Sequence, residues 1–364
     1  MHVLITADTV GGVWTSAREL VTGLIRRGVR VTLVSMGAIP SAGETAWMES
    51  LSGLDYRPTA FRLEWMQDAE TDIEQSSRYL ENLVREVRPD LLHLNQYCYG
   101  SLDVSVPRIV VAHSDVVSWW AAVHGHEPPD SSWIDWYRDI VLRGLRGGDV
   151  VVAPSHWMLK QIQKYYGNPE RASVIHNGCD PGCFDAKSAK ENCVLAVGRA
   201  WDPAKGIATL LEREHAVPVW IAGPDQEPGA NASAGLATVG QVAFLGHQRR
   251  SRLLSLFARA GTYAATSIYE PFGLAPLEAA FSRCALVASD LPTFHEVWGD
   301  APEYFRAGDA DDLARAIRLV TEDKAVRGRI AERVYERAQE KYSAERMVND
   351  YEALYHAVAA GVKV

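Results

Sequence analysis

The sequence predicts an α/β protein with two doubly wound parallel sheets, and three observations carry that expectation. Strand-like apolar runs alternate with helix-periodic segments from the first residues onward. The alternation stops at a polar, irregular stretch, DAKSAKEN (185–192), and then starts again. At 364 residues, 47% apolar and 23% charged, the chain is long enough for two domains, each with its own core.

The first series opens with HVLITA (2–7), a run that reads as a strand. A helix is expected over 15–28, with Ser16 and Glu19 as a capping box and Gly28 at its end. VRVTLVSM (29–36), a helix over 70–87, DLLHLNQ (90–96), PRIVVAHS (107–114), VVVAP (150–154) and a helix over 156–166 continue the rhythm. ASVIHNGCDPGCF (172–184) leads into the polar stretch, which reads as the linker. The second series is CVLAVGR (193–199), a helix over 206–213, VPVWIAG (217–223), VAFLGH (242–247), a helix over 251–260, TYAATS (262–267), a helix from Gly273 and ALVASD (285–290). From GDADDLARAI (308–317) onward the chain reads as helical, with Asp309 to Asp312 capping the first turn. Met347, Tyr351, Leu354, Tyr355 and Val358 recur at helical spacing, so the last helix has an apolar face that needs a cover. The expected division is 1–170 with the terminal helix 344–364, and 171–343.

Composition excludes several classes. Net charge is −9, which argues against nucleic acid as a partner and gives no basic stripe for anionic membranes. Arg26-Arg27 and Arg249-Arg250 read as solvated helix ends or loops. No stretch approaches the roughly 20 apolar residues of a membrane span, and MHVLITADT runs into a glycine turn without a charged leader. The expectation is a soluble, cytoplasmic protein. Of five cysteines, Cys179, Cys183 and Cys193 lie near one another in sequence but form no CxxC pair and have no histidine at ligand spacing, so no zinc site is expected.

Two open parallel sheets place ligands outside the carboxyl ends of their strands. The run SIYEPFGLAPLE (267–278) puts Glu270 on a loop and Glu278 in the helix that follows, with seven residues between them. An ionised carboxylate can accept from two hydroxyls of a sugar or ribose. Pro276 falls in the first helical turn, where a missing N–H is tolerated, and the amides of Phe272, Gly273, Leu274 and Ala275 lie where a helix start favours anions. In VGRAWDPAKG (197–206), Arg199 ends a strand and Lys205 follows six residues later. A planar fork and a compact point charge together suit a diphosphate whose leaving oxygen gains charge. Gly11 and Gly12 make a turn through which backbone could approach a phosphate, although neither a GxGxxG nor a P-loop pattern is present. His113 ends its strand on the same side. Trp119, Trp120, Trp133 and Trp136 crowd the segment after it, with Asp115, His124, His126 and Asp135, and Trp14 lies beside the glycine turn. His93 and His176 read as structural or near-cleft polar groups.

These residues resemble the family 4 retaining glycosyltransferases. The likeness covers GGVWTSARELVTGL, DLLHLNQ, VVAHS, VVAPSHWM, VIHNGCD, VGRAWDPAKGI, VAFLGH and EPFGLAPLEAA, in the family's order. It implies the GT-B fold of two facing Rossmann-like domains, a nucleotide-diphosphate sugar of UDP or GDP type as donor, and transfer of a hexose to a hydroxyl with retention. In that reading Glu270 binds sugar hydroxyls and Glu278 the ribose, while Phe272, Gly273 and Leu274 offer backbone amides to sugar and phosphate. Arg199 and Lys205 hold the diphosphate, Gly11 and Gly12 approach it, and His113 sits beside the anomeric centre. The resemblance also implies that the last helix returns to the first domain.

His113, Glu270, Arg199 and Lys205 are therefore the expected catalytic set, with Trp14, Trp119 and Trp120 as acceptor-side candidates. No cofactor is expected, since the departing diphosphate oxygen can take the acceptor's proton and no DxD run beside a strand suggests a metal. The acceptor is expected to be a small molecule or saccharide. A sugar-nucleotide 2-epimerase of the same fold, or an inactive sugar-nucleotide-binding protein, is the alternative. The chain departs from the family in Thr266-Ser267, where Pro-Ser is common, in Pro271, where Gly is frequent, and in DLPTFHE (290–296), where Gly-Gly-Leu-Pro-Glu is common.

Overall fold

A computed structural model describes residues 1–226 and 240–362. The chain falls into two compact units, residues 1–178 joined by the chain from Ala344 onward, and residues 179–343.

The first unit contains β1 (His2–Asp8), α1 (Gly12–Arg26), β2 (Arg30–Met36), α2 (Ala42–Thr45), β3 (Leu54–Pro58), α3 (Glu70–Val87), β4 (Leu91–Leu94), β5 (Arg108–Val111), α4 (Val116–His124), α5 (Ser132–Gly147), β6 (Val150–Ala153), α6 (His156–Tyr166) and β7 (Ala172–Val174). Its strands form a parallel sheet in the order β3-β2-β1-β4-β5-β6-β7. Alternate side chains enter two cores. Leu4, Leu92, Val110 and Val151 pack on one face, and Val3, Ile5, Leu91, Ile109 and Val152 on the other. Burial on both faces is why the strands read as continuous apolar runs.

Three details of this unit and its border differ from the sequence expectation. Helix α1 begins at Gly12, because Gly11 (φ 104°, ψ −149°) adopts a conformation that glycine tolerates and turns the chain directly into the helix. Ser16 and Glu19 thus lie inside α1 and form no capping box; Ser16 Oγ donates to Asn177 Oδ1 at 3.1 Å and Glu19 takes the Arg18 guanidinium at 2.7 Å. The first unit also runs past residue 170, since β7 adds to the sheet through pairing with β6 and carries the chain to residue 178. The polar stretch 185–192 is not the crossing point. It belongs to the second unit, where Asp185 accepts from the amides of Lys187 (2.9 Å) and Ser188 (3.0 Å) and Glu191 opens the next strand.

The second unit contains β8 (Glu191–Val197), β9 (Val219–Ala222), β10 (Val242–Gly246), α7 (Arg250–Arg259), β11 (Ala260–Ala265), α8 (Leu274–Phe281), β12 (Ala285–Ser289), α9 (Pro292–Trp298), β13 (Glu303–Phe305), α10 (Ala310–Glu322) and α11 (Lys324–Lys341). The parallel sheet runs β10-β9-β8-β11-β12-β13 around a core that includes Val194, Leu195, Ile221, Phe257, Phe281 and Leu286. A continuous helix over 206–213 does not form. Two 3-10 turns, Pro203–Lys205 and Ile207–Leu211, take its place because Gly206 (φ 59°) turns left-handed between them. Asp309 caps α10 by accepting from Asp312 N at 2.9 Å.

The last helix, α12 (Ala344–Ala359), belongs to the first unit and buries Met347, Val348, Tyr351, Leu354, Tyr355 and Val358 there. Its approach to α1 is close: a Cβ added at Gly23 would lie 2.4 Å from Val348 Cγ2. Among the described residues no helix is long and apolar enough to cross a membrane. In each sheet the strand order reverses once, between β1 and β4 and between β8 and β11, and such switch points open crevices at the carboxyl ends of strands.

Candidate active site

In the second unit the loops after β8 and β11 flank the switch point. Arg199 follows β8 and reaches Asp202, Nη2 to Oδ2 at 2.6 Å, with its guanidinium 5.4 Å from the Trp201 ring. Asp202 is buried and holds the next turn by accepting from Ala204 N at 2.9 Å. One Arg199 donor, Nε, is buried without a hydrogen-bond partner among the described residues. Lys205 ends that turn, and its Nζ donates to Glu270 Oε2 at 2.7 Å. The same carboxylate oxygen accepts from Ser267 Oγ at 2.9 Å.

Backbone contacts tie the two loops together. Ile268 N donates to Ala204 O at 2.8 Å and Thr266 Oγ1 to Lys205 O at 2.8 Å. At Gly206 an added Cβ would lie 2.2 Å from Thr266 O, so the glycine permits this contact as well as the left-handed turn. Lys205 and Glu270, 65 residues apart in sequence, are thereby fixed side by side.

Gly273 caps α8 in a left-handed conformation (φ 97°, ψ 75°), and its Cβ position is crowded by Phe294, Pro276 and Glu270. Helix α8 therefore starts where the sequence indicates, at Leu274, with Pro276 in its first turn. The Phe272 ring is buried against Tyr342, centroids 5.5 Å apart, so its backbone is what this residue can offer a ligand. Glu278, one turn into α8, is only 6% exposed and is paired with Arg250, the first residue of α7. Arg250 also lies over the Phe184 ring at 5.4 Å. The reading of Arg249-Arg250 as solvated residues is corrected for Arg250, because tertiary packing brings a buried carboxylate to it. A signal was available in the sequence: an arginine opening a helix opposes the helix dipole and needs an anion from elsewhere.

In the first unit a different chemistry occupies the carboxyl ends of β4 and β5. His113 Nε2 lies 2.7 Å from Asn95 Oδ1, and His93 Nε2 lies 3.2 Å from the same oxygen. Asn95 Nδ2 donates to Thr6 O at 2.6 Å, which fixes the amide so that Oδ1 faces both rings. Each Nε2 then carries the proton, and His93 Nδ1 accepts from Tyr355 OH at 2.7 Å. Desolvation lowers His113 to about 4 and His93 to about 3, with the neighbouring His113 as a second cause for His93. Both are neutral imidazoles at neutral pH. Asn95 holds this relay together and was not singled out from the sequence.

Gly11 and Gly12 open α1 after Asp8, whose Oδ1 accepts from Val10 N at 2.5 Å. Trp14 packs against Trp47 and Tyr56, ring centroids 6.1 and 6.3 Å away. Trp119 and Trp120 lie together on α4, 6.3 Å apart, with His124 4.2 Å from Trp120. Trp133 stacks on Tyr137 and Trp136 packs against the core. Asp115 caps α4 through Val117 N (2.9 Å) and Ser118 N (3.1 Å) and accepts from Tyr166 OH at 2.7 Å; burial raises its pKa. The tryptophan candidates thus form separate groups, with Trp14 apart from the α4 pair.

Models of Glycosyltransferase Family 4 and of Glycosyl transferases group 1 match residues 10–182 and 185–340. The chain belongs to the family 4 glycosyltransferases. Its relatives include the O-antigen chain mannosyltransferase RfbU of Salmonella typhimurium, 28% identical over 51% of this chain and 54% of the relative. Another is the phosphatidyl-myo-inositol mannosyltransferase of Mycolicibacterium smegmatis, 31% identical over 53% of this chain and 54% of the relative. The chain spans about half the length of these two curated relatives. The solved structure of Anabaena HepE in complex with UDP-glucose matches with a TM-score of 0.73 at 17% identity, covering 98% of this chain and 100% of that one. This likeness is one of fold. The two sheets are those of GT-B glycosyltransferases.

Proposed function

We propose that this chain is a retaining hexosyltransferase that uses a nucleotide-diphosphate sugar of UDP or GDP type and delivers the hexose to a hydroxyl of a small molecule or saccharide. The observation that carries the reading is the pairing of Lys205 with Glu270 beside Arg199 at the switch point of the second sheet. It is supported by family membership and by the UDP-glucose that the similarly folded HepE carries.

The two cations take the diphosphate, since a fork and a point charge neutralise its oxygens and stabilise the one that leaves. As Lys205 turns to phosphate, the carboxylate of Glu270 is released to accept from sugar hydroxyls. The bond between the anomeric carbon and the leaving oxygen breaks with its electrons on the diphosphate. The acceptor oxygen bonds to the same face of the sugar, and its proton goes to the departing oxygen. No protein nucleophile enters this scheme, and Lys205 and Arg199 supply the charge that a metal supplies in other transferases. Neutral His113 is assigned a hydrogen-bonding role toward the sugar.

A thermal-shift panel of UDP, GDP and ADP sugars tests the donor, because a ligand at about 100 times its dissociation constant stabilises the fold by roughly 2.7 kcal/mol. Nucleotide release that depends on an added acceptor is the expected product result; an altered sugar still joined to nucleotide would replace transfer with epimerisation. Turnover should survive EDTA, and loss restored by Mn²⁺ would end the metal-independent scheme.

A further inference from the structure

Arg250 occupies a place that local helix physics does not favour. It is the first residue of α7, where the free amides already concentrate positive charge, and no acidic residue stands in that first turn. A residue that opposes its own helix is held there by something else, and here it is the buried carboxylate of Glu278, 28 residues further along the chain. The guanidinium is also set over the Phe184 ring at 5.4 Å, and Phe184 is itself stacked on Phe281, centroids 5.8 Å apart, one turn below Glu278 on α8. Packing thus fixes Arg250 from two sides, while 31% of its side chain stays open to solvent, against 8% for Glu278.

Resting on the donor reading above, in which Glu278 takes the ribose, we infer that Arg250 is a positioning residue for the nucleoside half of the donor. It fixes the Glu278 carboxylate so that its acceptor lone pairs meet the vicinal ribose hydroxyls. Neutral or misdirected, Glu278 could not accept from both hydroxyls. The ligand class is a ribonucleoside diphosphate, and the property set by the pair is preference for ribose over 2′-deoxyribose. Lysine could keep the charge but not the planar fork that holds carboxylate geometry.

The test measures binding of UDP, GDP and ADP, each beside its 2′-deoxy counterpart, to the full chain and to Arg250→Ala, Arg250→Lys and Glu278→Gln, with circular dichroism as the check on folding. For the nucleotide that binds, the unsubstituted protein should prefer ribose by about tenfold, the size expected for a hydrogen bond to a charged group. Arg250→Ala and Glu278→Gln should each abolish most of that preference, and Arg250→Lys should restore part of it. Combining Arg250→Ala with Glu278→Gln should add nothing further, and this double variant also removes the unpaired buried charge if the single one folds poorly. In turnover, the loss in Arg250→Ala should fall on donor KM more than on kcat. An Arg250→Ala protein that keeps the full ribose preference overturns the inference while leaving the donor reading intact. If no nucleotide binds the unsubstituted protein, the donor reading itself fails.

Discussion

The carboxyl ends of the two sheets are built from opposite materials. In the second unit, among the described residues, three cations near the switch point hold carboxylates: Lys205 on Glu270, Arg199 on Asp202, Arg250 on Glu278. In the first unit the carboxyl ends of β4 and β5 hold neutral groups, an amide between two imidazoles whose charging is suppressed by burial. In each pair the cation keeps 22–32% of its side chain open to solvent, so an arriving anion can reach it. A relay of neutral groups joined through the Asn95 amide holds these side chains in one geometry. The contrast separates a region suited to capturing a charged donor from one suited to orienting polar atoms without competing for that charge.

The sharpest way to break this contrast is Lys205→Ala. It should lower turnover by about 10²–10³-fold, as loss of one transition-state charge contact does, with unchanged far-UV circular dichroism. Full activity in that variant would remove Lys205 from the diphosphate. Next in size, Gly206→Ala forces a side chain into a left-handed turn and against Thr266 O, and should cost about 1–3 kcal/mol in urea unfolding of the second unit along with donor binding. A stability equal to the parent protein would mean that the two loops are not held as described.

Glu270→Gln tests partner exchange directly. Freed from its carboxylate, Lys205 should bind the nucleoside diphosphate about fivefold more tightly, while transfer of the sugar is lost. Equal weakening of both would show Glu270 to be a plain structural partner. The smallest effect concerns the neutral relay. His113 has a folded pKa of about 4 against an ordinary 6.5, so the unfolded chain binds the proton first and stability falls as pH drops from 6.5 toward 4. Raised carboxyls at Glu64 and Asp115 act in the opposite sense, so the measurement is a difference. Going from about pH 7.5 to about pH 6, His113→Asn should lose less stability than the parent by under about 1 kcal/mol in urea titrations.

Much of the second site was legible because its chemistry follows local rules. A glycine at a helix start, a proline in the first turn and a cation at a strand end each announce themselves within a few residues, as Gly273, Pro276 and Arg199 do. Arg250 escaped because a two-residue basic run looks like a solvated helix end until a distant carboxylate is brought to it. Asn95 escaped because one amide at a strand end carries no pattern. The misplaced start of α1 has the same origin: a Ser-x-x-Glu spacing is only a capping box where the helix begins, and the φ of Gly11 decided that.

The sequence by itself determined the alternation of elements, the two sheets and the order of the family motifs, because hydrophobic periodicity and turn chemistry are properties of neighbouring residues. Only the tertiary structure decided which carboxylate each cation holds, where one unit passes into the other, and that His113 and His93 share one amide. Arg199 and Asp202 are three residues apart, but the other pairings join groups 18 to 65 residues apart at fixed geometry, and no local spacing encodes them.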